Sequence, residues 1–176
     1  PGAADAQRAP LGTVFGPVPV AAVTDGDTLV VTSNAGPRTV RLIGIDAPER
    51  DQICWEPDGS EWRCGQVAHR RLAELVRSEV TCRPDGTDHY GRILATCEAA
   101  GQDLAALLVA EGLAVARQGY RQEAARAQKG GIGIWRGRFH DPRQWRDEGP
   151  AEAPGPSALE TLWDWFRELT GATALR

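Results

Sequence analysis

The chain has 176 residues, of which 41% are hydrophobic and 25% are charged, a composition typical of globular domains and unlike that of disordered or fibrous proteins. No apolar run approaches the ~18–20 residues that a transmembrane helix requires, so we expect no membrane span. The net charge of −4 argues against a histone-like protein that coats nucleic acid, but it is compatible with a local basic patch.

The N-terminal part of the chain predicts mainly strands. Residues 1–17 are rich in Ala, Gly and Pro and predict a flexible arm. Residues 19–32 predict a strand, a tight turn at Asp25-Gly26 and a second strand. Residues 38–45 are alternating and β-branched and predict a third strand. Residues 46–64 are polar and contain Pro and Gly, so they predict an irregular loop.

The middle of the chain alternates between strand and helix patterns. Residues 65–78 show helical periodicity, and residues 79–83 and 93–97 predict two more strands. Residues 103–111 and 121–129 predict two further helices, each followed by Gly. Five short strands interleaved with three helices predict an α+β fold that is mainly a small β-barrel with helices packed outside it.

The C-terminal end is separated from this domain by a change in composition. Residues 148–158 form a Pro/Gly/Ala linker. Residues 159–169 place their apolar side chains at the spacing of one helical face and predict a short amphipathic helix. We assign residues 159–176 to this C-terminal helix and tail. Two interpretations remain open: the helix docks on its own domain or frays in solution, or it binds a partner or a membrane surface.

Charged residues cluster near the predicted strand ends. Asp25 and Asp27 flank a turn, and Asp46 and Glu49 follow the third strand. Hard oxygen donors of this kind suit Ca²⁺ or Mg²⁺, although a plain hairpin turn and a loop start would have the same residues. Arg41, in the third strand, either forms a structural salt bridge or binds an anion. Arginines and carboxylates grouped around a cation indicate phosphoryl chemistry.

Five motifs in order carry a resemblance to a known family. The segments DGDTLVV, RLIGIDAPER, DHYGR, ALLVAEGLAVA and IGIW resemble the staphylococcal nuclease-like (thermonuclease) family from about Val20 to Trp135, with an extension to Trp145. Each motif is weak alone, but five in order are specific. The resemblance implies a five-stranded OB-fold barrel with three helices, and we assign it to residues 18–147.

The resemblance also implies roles for the carboxylates. Asp27 and Asp46 would ligate Ca²⁺ through their side chains, and Ala47 would contribute its backbone carbonyl oxygen. Asp25 would hold a metal-bound water from outside the coordination sphere. Glu49 would be the general base that activates the attacking water.

The same resemblance implies that Arg41 and Arg92 bind the phosphate and stabilise the transition state. The positions that shape the nucleotide pocket correspond to Asp88, Tyr90, Arg117 and Tyr120. Two departures from the family pattern affect this pocket: His89 replaces a common Lys, and Arg117 stands near a position that is often aromatic. Both departures bear on substrate affinity, whereas the metal and base positions are unchanged.

The implied function is that of a hydrolase, a Ca²⁺-dependent endo/exonuclease that cuts DNA and RNA with low sequence specificity. Single strands would be preferred and 3′-phosphates would result. The alternative is a catalytically silent OB-fold module that binds single-stranded nucleic acid or a protein. The complete set of catalytic charges favours the enzyme, whereas the acidic net charge and the altered aromatic position favour the module. We expect a monomer whose partners are DNA and RNA.

Four cysteines permit three disulfide pairings, and their spacing is not that of a zinc site. On the implied barrel, Cys82 and Cys97 fall on two strands joined by a hairpin, where cross-strand neighbours come close. Cys54 and Cys64 bracket the loop after Glu49. We therefore expect the pairs 54–64 and 82–97; the alternative is four free thiols in a cytosolic protein.

Disulfides imply an oxidising compartment. The sequence lacks Met and begins at Pro1, which is typical of a mature protein without its signal peptide, although a trimmed chain would look the same. We expect a secreted or periplasmic protein.

Overall fold

In the computed structural model, residues 13–77 and 79–149 are described. The predicted tail helix at 159–169 and almost all of the predicted linker lie outside this range, as does most of the predicted N-terminal arm. Within the described ranges, no helix is long and apolar enough to cross a membrane.

The strands close into a barrel. The strands of the described residues are β1 Phe15–Asp25, β2 Thr28–Ser33, β3 Gly36–Leu42, β4 Ile45–Asp46, β5 Cys54–Trp55, β6 Glu61–Trp62, β7 Glu79–Thr87, β8 Ile93–Ala99, β9 Gln102–Asp103 and β10 Val115–Ala116. Five of them form the barrel, in the order β3-β2-β1-β7-β8, and β3 and β8 pair in parallel to complete the circle. All other barrel pairings are antiparallel. The predicted five-stranded barrel is thus confirmed.

The helices pack outside the barrel. Asp103 caps α2, because its carboxylate accepts hydrogen bonds from the backbone N–H groups of Ala105 and Ala106. Asp141 caps the helix Pro142–Glu148 in the same way, with Pro142 at its start. The helices of the described residues are α1 Cys64–Leu75, α2 Leu104–Ala110, α3 Arg121–Lys129 and α4 Pro142–Glu148, with a 3₁₀ turn at Gly133–Arg136.

The main core fills the barrel and the space beneath α1 and α2. Its members are mostly aliphatic, and the largest fully buried ones include Leu29, Leu42, Leu72, Leu104 and Leu108. The disulfide between Cys82 and Cys97 joins directly paired residues of β7 and β8 inside this core. A second, smaller core surrounds the disulfide between Cys54 and Cys64 and contains Ile134. Both predicted disulfides are present in the structure.

Four details differ from the sequence expectations. β1 begins at Phe15, so the last residues of the predicted flexible arm belong to the barrel. The predicted irregular loop contains the hairpin β5–β6. Backbone hydrogen bonds between Trp55 and Arg138 hold this hairpin in place. The first helix ends at Leu75 rather than at residue 78. α4 was not predicted, because its short sequence lacks an apolar period.

Candidate active site

The turn between β1 and β2 delivers Asp27 to the interior edge of the barrel. Gly26 makes this placement sterically feasible, since a Cβ there would lie 2.7 Å from Ala68 and 2.8 Å from Ala47. Helix α1 therefore packs directly on the turn. Asp27 is only 2% exposed, and its carboxylate accepts hydrogen bonds from the Thr28 hydroxyl at 2.8 Å and the Ala47 N–H at 3.0 Å.

One guanidinium joins two of the predicted metal ligands. Arg41 donates from Nη1 to Asp27 at 2.7 Å and from Nη2 to Asp46 at 2.7 Å. Strand pairing explains the geometry, because Arg41 lies opposite Thr28 across β2 and β3. The structure thus brings Asp27 and Asp46 to one guanidinium, although 19 positions separate them in the sequence.

Two further arginines surround Asp46. Pairing of β10 with β4 places Val115 opposite Asp46, and Arg117 follows two residues later. Arg117 donates to Asp46 at 3.0 Å and is held in turn by both carboxylate oxygens of Asp141. Arg146, from α4, donates to both oxygens of Asp46, at 2.9 and 3.0 Å.

Glu49 lies beside this group on a loop with a rigid backbone. Its N–H donates to the side chain of Gln52 at 3.1 Å, and its carbonyl accepts from the Gln52 N–H at 2.8 Å. Gln52 is fully buried and also donates to the carbonyl of His140 at 2.7 Å. A Cβ at Gly65 would lie 1.6 Å from the Glu49 carbonyl oxygen, so α1 packs against this loop without a gap. The Glu49 carboxylate accepts from Arg146 at 2.6 Å.

The carboxylates differ in their affinity for a proton. Burial raises the pKa of Asp27 above its usual value, although Arg41 opposes this effect. Burial alone would also raise the pKa of Asp46, but hydrogen bonds and positive charge from the surrounding arginines outweigh it, and the pKa is lowered. The pKa of Glu49 is raised, chiefly by burial and in part by the charges of Asp25 and Asp27, despite the opposing Arg146.

The predicted phosphate ligand Arg92 directly precedes β8. It is adjacent to Ile93, which pairs with Val40 on β3 next to Arg41. Its side chain donates to Asp88 at 2.7 Å and lies 5.4 Å from the ring of Tyr90. Burial tends to raise the pKa of Asp88, but the hydrogen bonds and positive charge of Arg92 outweigh this effect. The pKa of Asp88 is therefore lowered. Asp88 thus orients Arg92, and Tyr90, 73% exposed, is accessible to a base.

The two remaining predicted nucleotide contacts have partners in the structure. Tyr120 is half-buried, and its hydroxyl donates to Asp103 at 3.1 Å; burial and the Asp103 charge raise the pKa of Tyr120 to about 12. Arg117 forms the ion pairs described above. It also lines a surface cavity of about 380 Å³ between residues 116–119 and helix α3. Both residues remain predicted nucleotide contacts.

The oxygen-donor chemistry of the site fits Ca²⁺. Asp27 and Asp46 share one guanidinium, so their carboxylate oxygens lie close together, and carboxylates with a backbone carbonyl such as that of Ala47 are ordinary Ca²⁺ ligands. Asp25 ends β1, directly before the turn that carries Asp27. In the described part of the chain, however, no three His, Cys, Asp or Glu side chains are grouped so that they could hold a metal ion, and arginines donate to both carboxylate oxygens of Asp46.

Three residues of this site were not predicted from the sequence: Gln52, Asp141 and Arg146. Asp141-Pro142 is a typical helix start, so this pair could have predicted α4. No local pattern links Arg146 to Asp46, from which it is separated by 100 residues. That ion pair becomes visible only when the chain is folded.

Comparison with known sequences identifies the family of the barrel. Residues 39–137 match the sequence model of the family described as staphylococcal nuclease homologue. This range contains Arg41, Asp46, Glu49, Arg92 and Arg117, whereas Asp27 precedes it and Arg146 follows it.

Several characterised proteins are similar to the chain. The succinoglycan biosynthesis protein ExoI of Rhizobium meliloti (strain 1021) is 40% identical over 66% of this chain and 63% of its own length. The SPbeta prophage-derived endonuclease YokF of Bacillus subtilis (strain 168) is 38% identical over 51% of this chain and 30% of its own length. The micrococcal nuclease of Shigella flexneri is 32% identical over 72% of this chain and 78% of its own length. The chain therefore spans less than two thirds of ExoI and YokF.

Proposed function

Because the chain belongs to the staphylococcal nuclease homologue family, we propose that it is a Ca²⁺-dependent phosphodiesterase that hydrolyses DNA and RNA with low sequence specificity, prefers single strands and leaves 3′-phosphates. The observation that carries this proposal is the linked group Asp27–Arg41–Asp46 with Glu49 beside it. The nuclease names of two of the relatives support the same chemistry.

Asp27 and Asp46 would hold the metal, with the carbonyl oxygen of Ala47 and a water held by Asp25. Bound there, Ca²⁺ supplies positive charge that neutralises the phosphate and its developing charge. Arg41 keeps the two carboxylates together. It uses two of its five N–H donors on them, which leaves donors for a phosphate oxygen.

Glu49 is the general base of the proposed reaction. Its side chain is 28% exposed and its backbone is held by the buried Gln52, so Glu49 extends from a loop whose backbone is fixed. It accepts the proton of the water whose oxygen bonds to phosphorus; the bond from phosphorus to the 5′ oxygen breaks, and that oxygen leaves as an alcohol after taking a proton from solvent. A raised pKa suits this role, because a stronger base removes the proton more readily.

Arg92 and Arg41 stabilise the negative charge that accumulates on the phosphate oxygens. Asp88 holds Arg92 through a 2.7 Å ion pair, which limits the orientations of its guanidinium. Tyr90, Arg117 and Tyr120 complete the nucleotide contacts in this proposal. The exposed ring of Tyr90 suits stacking on a base of an unpaired strand.

We place the protein outside the cytoplasm, secreted or periplasmic, and propose that it is a monomer. The support for the compartment is its pair of disulfides, all four cysteines of which are fully buried. Disulfides persist in oxidising compartments, where extracellular nucleic acid would be the available substrate.

Digestion of heat-denatured DNA tests the proposal. We expect cleavage with Ca²⁺ and none with excess chelator. Glu49→Gln should lower the turnover number by about 10²–10⁴, the usual contribution of a general base, while a nucleotide inhibitor still binds. Glu61→Gln, an exposed position on β6, is the matched control and should retain the wild-type rate.

Equal cleavage by wild type and Glu49→Gln would contradict the mechanism. Cleavage that persists in chelator would contradict the metal requirement. If the folded, oxidised protein binds single-stranded DNA without cutting it, the alternative applies, and the barrel is a binding module.

A further inference from the structure

Arg146 connects two residues that have different roles in the proposed reaction. Its Nη1 atom donates to Asp46 at 2.9 Å and to Glu49 at 2.6 Å, and its Nη2 atom donates to Asp46 at 3.0 Å. Asp46 is a proposed metal ligand and Glu49 the proposed base. All the hydrogen bonds found for this guanidinium among the described residues go to these two carboxylates.

The carboxylate of Asp46 is saturated with donors. Its Oδ1 atom accepts from Arg41 and Arg146, and its Oδ2 atom accepts from Arg117 and Arg146. A carboxylate has about four lone-pair sites, so these four hydrogen bonds use them all. A cation can therefore coordinate Asp46 only if at least one guanidinium withdraws.

The three guanidiniums are not equally able to withdraw. The Arg41 side chain is 18% exposed and is also tied to the buried Asp27. Arg117 is also held by both oxygens of Asp141. The Arg146 side chain is 36% exposed, close to the 35% of Arg117, but among the described residues its hydrogen bonds go only to Asp46 and Glu49. Arg146 is thus the guanidinium that a cation would displace.

The backbone beneath Arg146 is fixed, so only the side chain needs to move. The neighbouring Trp145 is 5% exposed, and its indole N–H donates to Asp51 at 3.3 Å. Asp141 caps the start of α4. A long arginine side chain can leave its carboxylates through rotations about its own bonds while the helix stays in place.

We propose that Arg146 is a positioning residue that couples the metal site to the base: it holds Asp46 and Glu49 together without metal and withdraws from both when Ca²⁺ binds. This inference rests on the proposed function. Since the same guanidinium covers both carboxylates, its withdrawal would uncover Glu49 only in the metal-loaded protein. Glu49 would then be able to accept a proton only when bound Ca²⁺ is present to neutralise the phosphate.

Calorimetric titration of the protein with Ca²⁺ alone, without substrate, tests the inference. Arg146→Gln should bind Ca²⁺ about tenfold to a hundredfold more tightly than wild type, because the charge-assisted hydrogen bonds that the cation must break are gone. Arg143→Gln is the matched control, since it removes the same charge from an exposed position of the same helix. Its affinity should stay within about twofold of wild type.

Two further variants make the outcomes distinguishable. Asp46→Asn should abolish Ca²⁺ binding. Arg146→Lys keeps the charge but cannot donate from two nitrogens, so its affinity should lie between those of wild type and Arg146→Gln; it also serves if Arg146→Gln does not fold.

Equal affinities of wild type and both Arg146 variants, with binding lost in Asp46→Asn, would overturn the inference and leave the proposed function intact. An equal gain in Arg143→Gln would also overturn it, because charge alone would then explain the effect. If neither the wild-type protein nor any folded variant binds Ca²⁺, the proposed metal site is wrong, and the inference is wrong with it.

Discussion

Arg41 is the residue on which the geometry of the candidate site depends. Among the described residues, it is the one whose side chain forms ion pairs with both Asp27 and Asp46, each at 2.7 Å. Asp27 is almost fully buried, so it needs a cationic partner to remain ionised at moderate cost. The sequence left open whether Arg41 is a salt-bridge partner or an anion ligand. In the structure it is a salt-bridge partner, and its role toward phosphate remains a proposal.

Replacement of Arg41 by Lys tests this dependence. Lysine keeps the charge, but its single ammonium group cannot bind both carboxylates as the two terminal nitrogens of the guanidinium do. We expect the free energy of unfolding to fall by about 1–3 kcal/mol, the cost of a lost hydrogen bond to a charged group. Urea denaturation of wild type and variant measures this difference in the free energy of unfolding. Arg38→Lys, on the same strand but on its opposite face, is the control, and an equal loss there would contradict a specific role for Arg41.

At the scale of elements, the hairpin β5–β6 and the segment after the 3₁₀ turn support each other. Trp55 exchanges two backbone hydrogen bonds of 2.8 Å with Arg138, and the disulfide between Cys54 and Cys64 ties the hairpin to the start of α1. Gln52, within the same loop, links Glu49 to His140. The loop of residues 46–64 therefore positions both the proposed base and the chain that leads to α4.

The two disulfides should differ in their effect on activity. Replacing either pair by Ala should lower the free energy of unfolding by about 2–4 kcal/mol. Loss of the Cys54–Cys64 pair should also lower the cleavage rate, because this bond braces the loop that carries Glu49. Loss of the Cys82–Cys97 pair should spare the rate below the melting temperature. Chemical denaturation and the DNA digestion assay measure the two quantities, and equal rates for the two double variants would contradict this assignment.

For the whole molecule, the site gathers one end of the barrel and the last described helix. Asp27 comes from the first hairpin, Asp46 and Glu49 from the chain after β3, and Arg146 from α4. These residues span 27 to 146, and the family match ends at residue 137. The proposed site therefore includes a residue of α4, which lies beyond the family match, and the boundary at residue 147 stays a prediction.

A chain that ends at residue 149 tests the contribution of the C-terminal segment. All the contacts described for the site come from residues before 149, so we expect the cleavage rate and Ca²⁺ affinity to stay within about twofold of the full chain, as for changes remote from a site. Digestion of denatured DNA and calorimetry check this. A complete loss of cleavage would assign a functional role to residues 150–176.

Much of the barrel and most of the proposed catalytic residues followed from local signals. Alternating β-branched residues predict β2 and β3, and the Asp25-Gly26 turn predicts that β1 and β2 form a hairpin. The five ordered motifs placed Asp27, Arg41, Asp46, Glu49 and Arg92 at the family positions. The hairpin β5–β6 was missed because it is only two residues long on each side and depends on Arg138, 83 positions after Trp55.

The sequence by itself determined the family, the barrel and the identity of the charged residues, because periodicity and motif order are local properties of the chain. It also correctly indicated both disulfide pairings. Only the tertiary structure decided how the charges are partnered. Asp46 has three arginine partners, from β3, the segment after β10 and α4, and no local pattern specifies an ion pair between residues 100 positions apart. The packing of α4 through the buried Trp145 decides that Arg146 reaches Asp46 and Glu49.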